Sequence, residues 1–414
     1  MSFTLIDGEL HAEQLPLSEI AARFGTPCYV YSRQALTSAL QEFQSALEGT
    51  DSLVCYAVKA NSNLAILNLF ARQGAGFDIV SLGELTRVIA AGADPGKVIF
   101  SGVGKRSDEI EAAIMAGIGC FNVESEPELS RIDEIATRLG KKAPISLRVN
   151  PDVDPKTHPY ISTGLRENKF GVDWQSARRI YQHAASLRGL EVVGIDCHIG
   201  SQILDVAPFL EALERILDLI DQLAADGIVL RHIDLGGGLG IRYRDETAPA
   251  IADYLGAVRD RLAGRKLKLL LEPGRRLVGN AGVLLTRVEY IKSGPEHNFA
   301  IVDAAMNDLL RPALYDAWHD IVPVRTRPGE SRRYDVVGPV CESGDFLAKD
   351  RSLSIAAGDC LAAMSAGAYG MTMSSNYNTR PRAAEVMVDG SVAHLIRRRE
   401  SIAELYAQET VLPA

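Results

Sequence analysis

Between residues 36 and 280 the chain alternates short apolar, β-branched runs with longer stretches in which apolar residues return every three to four positions. The short runs predict strands at Leu53–Val58, Phe77–Val80, Val98–Ser101, Cys120–Val123, Ile145–Val149, Val192–Cys197, His232–Leu235 and Leu267–Leu271. Helical periods lie between them, among them Ala65–Gln73, Glu84–Ala91, Asp108–Ala116, Pro208–Ala225 and Ile251–Leu262. Several end at a glycine (Gly74, Gly92, Gly117), where a left-handed C-cap is expected. Eight strands with intervening helices form the α/β pattern of a TIM-type (β/α)8 barrel.

After Gly282 the texture changes. Val283–Ile291, Asn298–Val302, Tyr334–Val337, Leu353–Ile355 and Glu385–Leu395 all read as β structure, the last with a hairpin turn at Asp389-Gly390. They predict a second, mainly β domain, a sandwich or small barrel. The first residues also read as a hairpin, Phe3–Ile6 and Leu10 onward around Asp7-Gly8. A hairpin seldom stands alone, so it is expected to join the later β domain. The predicted organisation is a barrel over 36–280 and a discontinuous β domain made of 1–35 and 281–414.

Composition narrows the classes of function. With 414 residues, 47% hydrophobic and 23% charged, the chain can build two cores. A formal charge of −9 argues against a nucleic-acid or anionic-membrane surface, and Arg397-Arg398-Arg399 is too short to change that. The six cysteines lie far apart without a C-x-x-C pair, so neither a metal site nor a disulfide framework is expected. The start lacks a basic, apolar leader and no apolar run reaches spanning length. A soluble cytoplasmic protein with reduced thiols is the expectation.

Polar residues unusual for an interior gather just past the predicted strand ends: Lys59, Asp78, Asn150, His198, Gly236-Gly237-Gly238 and Glu272. In a barrel these ends share one mouth, the place where such folds do their chemistry. Lys59 follows a wholly apolar run, and burial there would favour a neutral amine able to form a Schiff base; alone, it reads first as a solvated strand terminator. The triple glycine ends the seventh strand, where backbone N–H groups can close around a phosphate, or it is a plain loop. Glu272, in Glu272-Pro273-Gly274-Arg275, is either the acid that keeps a pyridine nitrogen protonated or half of a local pair with Arg275 or Arg276. His198 is a ring to stack on a flat cofactor or a core histidine.

Tyr56-Ala57-Val58-Lys59-Ala60-Asn61, His198-Ile199-Gly200-Ser201-Gln202, the triple glycine, Glu272-Pro273-Gly274-Arg275 and Cys341-Glu342-Ser343-Gly344-Asp345 occur in one order along nearly the whole chain. That set resembles the alanine-racemase-like (fold type III) decarboxylases that use pyridoxal phosphate, and within them the branch acting on meso-diaminopimelate. The resemblance implies Lys59 as the residue carrying pyridoxal phosphate, His198 against its ring, and Ser201, Gly236, Gly237 and Gly238 around its phosphate. Gly274 and Tyr369 would lie near the cofactor and Glu272 at its ring nitrogen, where the related racemases carry an arginine instead.

It further implies a homodimer with shared active sites. Cys341, the proton donor to the substrate carbon, and Glu342 would reach the partner subunit's site. Free cysteines are otherwise mostly small buried hydrophobes. Arg275, Arg311 and Tyr315 match the family's carboxylate-binding residues, suited to bidentate contact, while Glu342 matches the ligand of a distal ammonium and Tyr369 adjoins the substrate. The stretch from Asn150 to Gly171, with Ser162-Thr163-Gly164 and Lys169, resembles a loop over the mouth. Rival readings are an ornithine, arginine or carboxynorspermidine decarboxylase, a non-catalytic homologue that binds pyridoxal phosphate, and a cofactor-free Schiff-base aldolase.

Overall fold

The computed structural model describes residues 3–153, 169–295 and 297–414. It divides into two compact units, Ala39–Ile241 with Thr247–Arg276, and Met1–Ser38 with Arg242–Glu246 and Leu277–Ala414.

The first unit is a closed barrel of eight parallel strands: β1 Ser52–Ala57, β2 Gly76–Ile79, β3 Val98–Phe100, β4 Cys120–Val123, β5 Ala143–Asn150, β6 Leu190–Asp196, β7 His232–Asp234 and β8 Lys268–Leu271. Each pairs in parallel with the next, and β8 returns to β1 at Leu269–Ser52. The surrounding helices bury one stripe each. Ala207–Ala225 is typical, inserting Phe209, Leu213, Ile216, Ile220 and Leu223 at helical spacing. Cys55, Ile99 and Leu270 pack together as a small apolar cluster. Several further strand side chains are polar yet buried: Asn122, Ser146, Asp196, His232 and Asp234. Gly194 makes room for one of them, since a Cβ there would stand 2.0 Å from His232 Nε2.

The second unit carries a large sheet in the order Phe346–Leu353, Arg332–Val337, Asn298–Val302, Gly282–Ser293, Cys28–Ser32, Ala384–Asp389, Val392–Arg397, with Cys360–Ala363 and Ile321–Pro323 branching from it. Its core joins Leu17, Ile20, Val30, Val283, Leu285, Ala362, Val386 and Val388. The N-terminal hairpin does not extend this sheet. Phe3–Ile6, Glu9–Ala12 and Leu15–Pro16 form a separate three-stranded sheet, tied on by the Leu10 N–H to the Val324 carbonyl at 2.7 Å. The run expected at Leu353–Ile355 is instead the end of Phe346–Leu353, whose apolar alternation is broken at Lys349-Asp350, where Asp350 has φ +56° and the register slips. No helix among the described residues is long and apolar enough to cross a membrane.

Candidate active site

Lys59 stands just past a strand end, between the buried amine and the solvated terminator that its sequence allowed. β1 stops at Ala57, and Val58–Ala60 forms a single 3-10 turn that leaves the lysine side chain 40% exposed. Its Nζ donates to Oδ2 of the fully buried Asp78, 2.8 Å away on β2. A rigid acid therefore aims an accessible amine. The turn is stitched to the end of β8: the Ala57 N–H donates to the Pro273 carbonyl at 3.2 Å, and a Cβ on Gly274 would lie 3.1 and 3.2 Å from the Cβ atoms of Ala60 and Ala57. Gly274 thus lets Glu272-Pro273-Gly274-Arg275 lie directly against the lysine turn.

Glu272 is buried, and its Oε1 accepts from Asn122 Nδ2 at 3.2 Å and Ser101 Oγ at 3.5 Å. It has company. One carboxylate oxygen each from Asp196, Asp234 and Glu272 lies within 4.8 Å of the others, all three residues buried. Burial, reinforced by Asp78, pushes the Asp234 carboxyl up to about 7, although its Oδ1 accepts the Gly236 N–H at 2.9 Å. Burial and the neighbouring acids raise Glu272 and Asp196 well above the ordinary range. The cluster therefore retains protons at neutral pH. Asp78 Oδ1, Asp196 Oδ1 and Asp234 Oδ2 are buried without a hydrogen-bond partner among the described residues. The cations among the described residues stand at its edge, Lys59 on Asp78 and Arg148 Nε 3.9 Å from Asp196 Oδ2.

The triple glycine follows β7. The Glu272 N–H donates to the Gly236 carbonyl at 2.7 Å, and a Cβ on Gly237 would strike the Glu272 carbonyl oxygen at 2.3 Å. Gly236 has φ +63° and Gly238 φ +108°, with the Gly200 carbonyl 2.4 Å from where a Gly238 Cβ would stand. No side chain fits at these points without moving backbone. The Gly237 N–H donates to His198 Nδ1 at 3.1 Å, so the neutral ring carries its proton on Nε2. Burial, with Arg148 and Lys59 nearby, holds the imidazole well below its usual pKa, giving an uncharged aromatic face. Ser201 Oγ accepts from Arg275 Nη2 at 3.0 Å. The mouth thus joins the lysine turn, Glu272, the glycines, His198, Ser201 and Arg275 in one run of contacts.

A family model for the pyridoxal-dependent decarboxylase, pyridoxal binding domain, matches residues 33–279. The chain belongs to the pyridoxal-dependent decarboxylase family. It is 62% identical to the diaminopimelate decarboxylase of Pseudomonas aeruginosa over 412 residues, covering 100% of this chain and 99% of that one. With the Vibrio cholerae protein of the same name it shares 60% over 408 residues, 98% of each chain. Among solved structures, the diaminopimelate decarboxylase of M. jannaschii in co-complex with L-lysine superimposes with a TM-score of 0.95 at 39% identity, covering 100% of this chain and 98% of that one. The Helicobacter pylori enzyme complexed with L-lysine gives 0.92 at 44%, covering 95% and 98%.

As a member of this family the chain uses pyridoxal phosphate, and the residues at the mouth fit it. The accessible amine of Lys59 suits an aldehyde, and the neutral face of His198 suits a flat ring. The buried carboxyl of Glu272 suits a protonated ring nitrogen. The sequence reading passed over Asp196, Asp234, Asn122 and Ser146. Their signal was present as polar residues inside short apolar strands, where a barrel turns alternate positions inward.

The remaining candidates lie in the second unit. Arg311 and Tyr315 share the helical turn Arg311–Tyr315, with Arg311 buried and Tyr315 half-buried. Cys341, Glu342 and Ser343 are exposed, on a loop shaped by the buried Asp345, which accepts the Met306 N–H at 2.6 Å and the Val340 N–H at 2.8 Å. The Cys341 N–H donates to Asn378 Oδ1 at 3.1 Å, and Tyr377 OH donates to Glu342. Tyr369 is half-buried with φ +55°. In the loop over the mouth, Ser162-Thr163-Gly164 lie outside the described residues, while Lys169 is exposed, its Nζ 5.1 Å from the Phe170 ring.

Proposed function

We propose that the chain decarboxylates meso-2,6-diaminopimelate to L-lysine and carbon dioxide. A meso compound has one D and one L centre, and an L product retains the L centre. The carboxylate lost is therefore the one on the D carbon, and the L centre, with its ammonium and carboxylate, is the far end of the substrate. The observation that carries this reading is the residue set: a lysine and a buried glutamate for the cofactor, accompanied by Arg275 and Arg311 for a second carboxylate and Glu342 for a second ammonium. A substrate with only a distal amine would gain nothing from the two guanidinium groups. The full-length similarity to diaminopimelate decarboxylases supports the same assignment.

Lys59, His198, Ser201, Gly236 to Gly238, Glu272, Gly274 and Tyr369 would hold pyridoxal phosphate, which supplies an electron sink for the bond broken as carbon dioxide leaves. Asp78 keeps the Lys59 amine oriented while substrate is exchanged. The Glu272 carboxyl would keep the ring nitrogen of the cofactor protonated. Arg275, Arg311 and Tyr315 grip the far carboxylate, turning the D centre toward Lys59. Cys341 Sγ delivers the proton that replaces the lost carboxylate.

Exposure of Cys341 and Glu342 supports a homodimer in which each chain lends these residues to its partner's barrel. The net charge of −9 and the six free cysteines support a reducing, cytoplasmic setting. The test is to incubate the purified holoenzyme with meso-diaminopimelate, L-ornithine and L-arginine separately. Carbon dioxide and L-lysine should form from the first alone; equal or faster turnover of ornithine would overturn the substrate assignment.

A further inference from the structure

Arg311 is held by an imidazole and an aromatic ring, the imidazole belonging to a histidine so far without a role. Its Nη1 lies 2.9 Å from Nε2 of His319, and Nδ1 of the same ring lies 2.8 Å from the Met364 carbonyl. A carbonyl only accepts and a guanidinium only donates, so the proton of His319 is on Nδ1 and a lone pair on Nε2 faces Arg311. Arg311 Cζ sits 4.7 Å from the centre of the Tyr243 ring, and that ring meets His319 edge-on at 5.5 Å and 81°. Arg311 and His319 are buried, and Tyr243 is 8% exposed. An acceptor on one N–H and a ring on one face together fix the plane of the guanidinium.

We infer that His319 is a positioning residue that sets Arg311 to receive the substrate's far carboxylate in a bidentate grip. This rests on the reading that Arg311 binds that carboxylate. The choice of a neutral acceptor has a chemical reason. An aspartate or glutamate in the same place would hold Arg311 equally well but would cancel its charge and compete with the ligand. An imidazole locked as the Nδ1–H tautomer orients the cation without adding a negative charge of its own. Tyr243 acts in the same sense from the ring face.

The test uses the holoenzyme and four variants. His319→Phe keeps a ring but removes the acceptor, and His319→Asn keeps the donor toward Met364 without reaching Arg311, which serves if the phenylalanine disturbs folding. His319→Gln restores an acceptor, and Arg311→Lys is the reference. Measured are kcat and KM for meso-diaminopimelate, with inhibition by L-lysine, which retains the far carboxylate, and by cadaverine, which lacks it. His319→Phe or His319→Asn should raise KM and weaken L-lysine inhibition together, each about tenfold, with kcat and cadaverine inhibition within about twofold of wild type. His319→Gln should recover most of the loss. Unchanged KM and L-lysine inhibition, or an equal loss for cadaverine, would overturn the inference. If Arg311→Lys also leaves KM unchanged, the assignment of Arg311 itself has failed; if Arg311→Lys raises KM and the His319 variants do not, only the role of His319 has.

Discussion

The two units organise their chemistry in opposite ways. At the barrel mouth Glu272, Asp234, Asp196 and Asp78 are buried, cross-braced by Asn122, Ser101 and glycine N–H groups, with Lys59 on Asp78 and Arg148 beside Asp196. On the β unit the Cys341-Glu342-Ser343 segment is equally well shaped, by Asp345 and Asn378, yet lies open to solvent. The first region is an enclosed acidic cluster; the second is an exposed loop. Burial makes electrostatics strong and specific at the mouth. Exposure leaves the cysteine and glutamate with little selectivity until another surface covers them.

Substitutions should separate the two regions by size of effect. Lys59→Ala should be the most severe, abolishing the visible band of the bound cofactor and lowering kcat by at least about 10³-fold; retained turnover would remove the basis for placing the cofactor there. Cys341→Ala should leave that band intact and lower kcat by roughly 10²-fold, within the usual range for a lost proton donor. A smaller fall than in any mouth acid would argue that another group delivers the proton. Gly237→Ala should destabilise the fold by about 1–3 kcal/mol in a thermal or denaturant melt, because its Cβ meets the Glu272 carbonyl oxygen at 2.3 Å. No comparable loss is expected for Gly344→Ala beside Glu342, where a Cβ would meet nothing within 4 Å.

The smallest effect concerns pH. Burial raises the Asp234 carboxyl from 3.8 to about 7 in the folded chain. The folded state therefore holds a proton that the unfolded state gives up above pH 3.8, and stability from this group falls as pH rises from about 4 to 7. His232, lowered by burial to about 4, works in the opposite direction: its unfolded state binds the extra proton, so stability falls as pH drops from about 6.5 to 4. Asp234→Asn keeps an acceptor for the Gly236 N–H and removes only the first effect. Its apoprotein should gain stability relative to wild type as pH rises from 5 to 7, read by melting temperature across that range; a constant difference would mean the carboxyl is ionised in the fold throughout.

The same contrast explains what was legible in the sequence. The barrel strands showed because each is a short apolar run bounded by a helical period, and Cys120–Val123 runs between the same residues as expected. The strand Cys28–Ser32 carried no such local frame: its partners, Gly282–Ser293 and Ala384–Asp389, lie more than 240 residues away, and pairing at that distance leaves no pattern in the neighbouring sequence. Lys59 was legible as chemistry but not as geometry. Its turn depends on Pro273 and Gly274, which fold against it from the far end of the barrel. Glu272 stood out just past a strand end, whereas Asp196 and Asp234 are the last residues of their strands and read as part of the runs they close, and His319 acquires its role only through contacts with Arg311, Tyr243 and Met364.

The division into an enclosed and an exposed half-site is tested most directly by mixing two inactive chains. Lys59→Ala lacks the first half and Cys341→Ala lacks the second. Unfolded together and refolded with pyridoxal phosphate, they should form mixed dimers with one site carrying both lesions and one carrying neither, restoring roughly a quarter of wild-type turnover. Activity that stays at the sum of the two separate variants, in a sample shown to contain mixed dimers, would contradict the account and require Lys59 and Cys341 to serve the same site from a single chain.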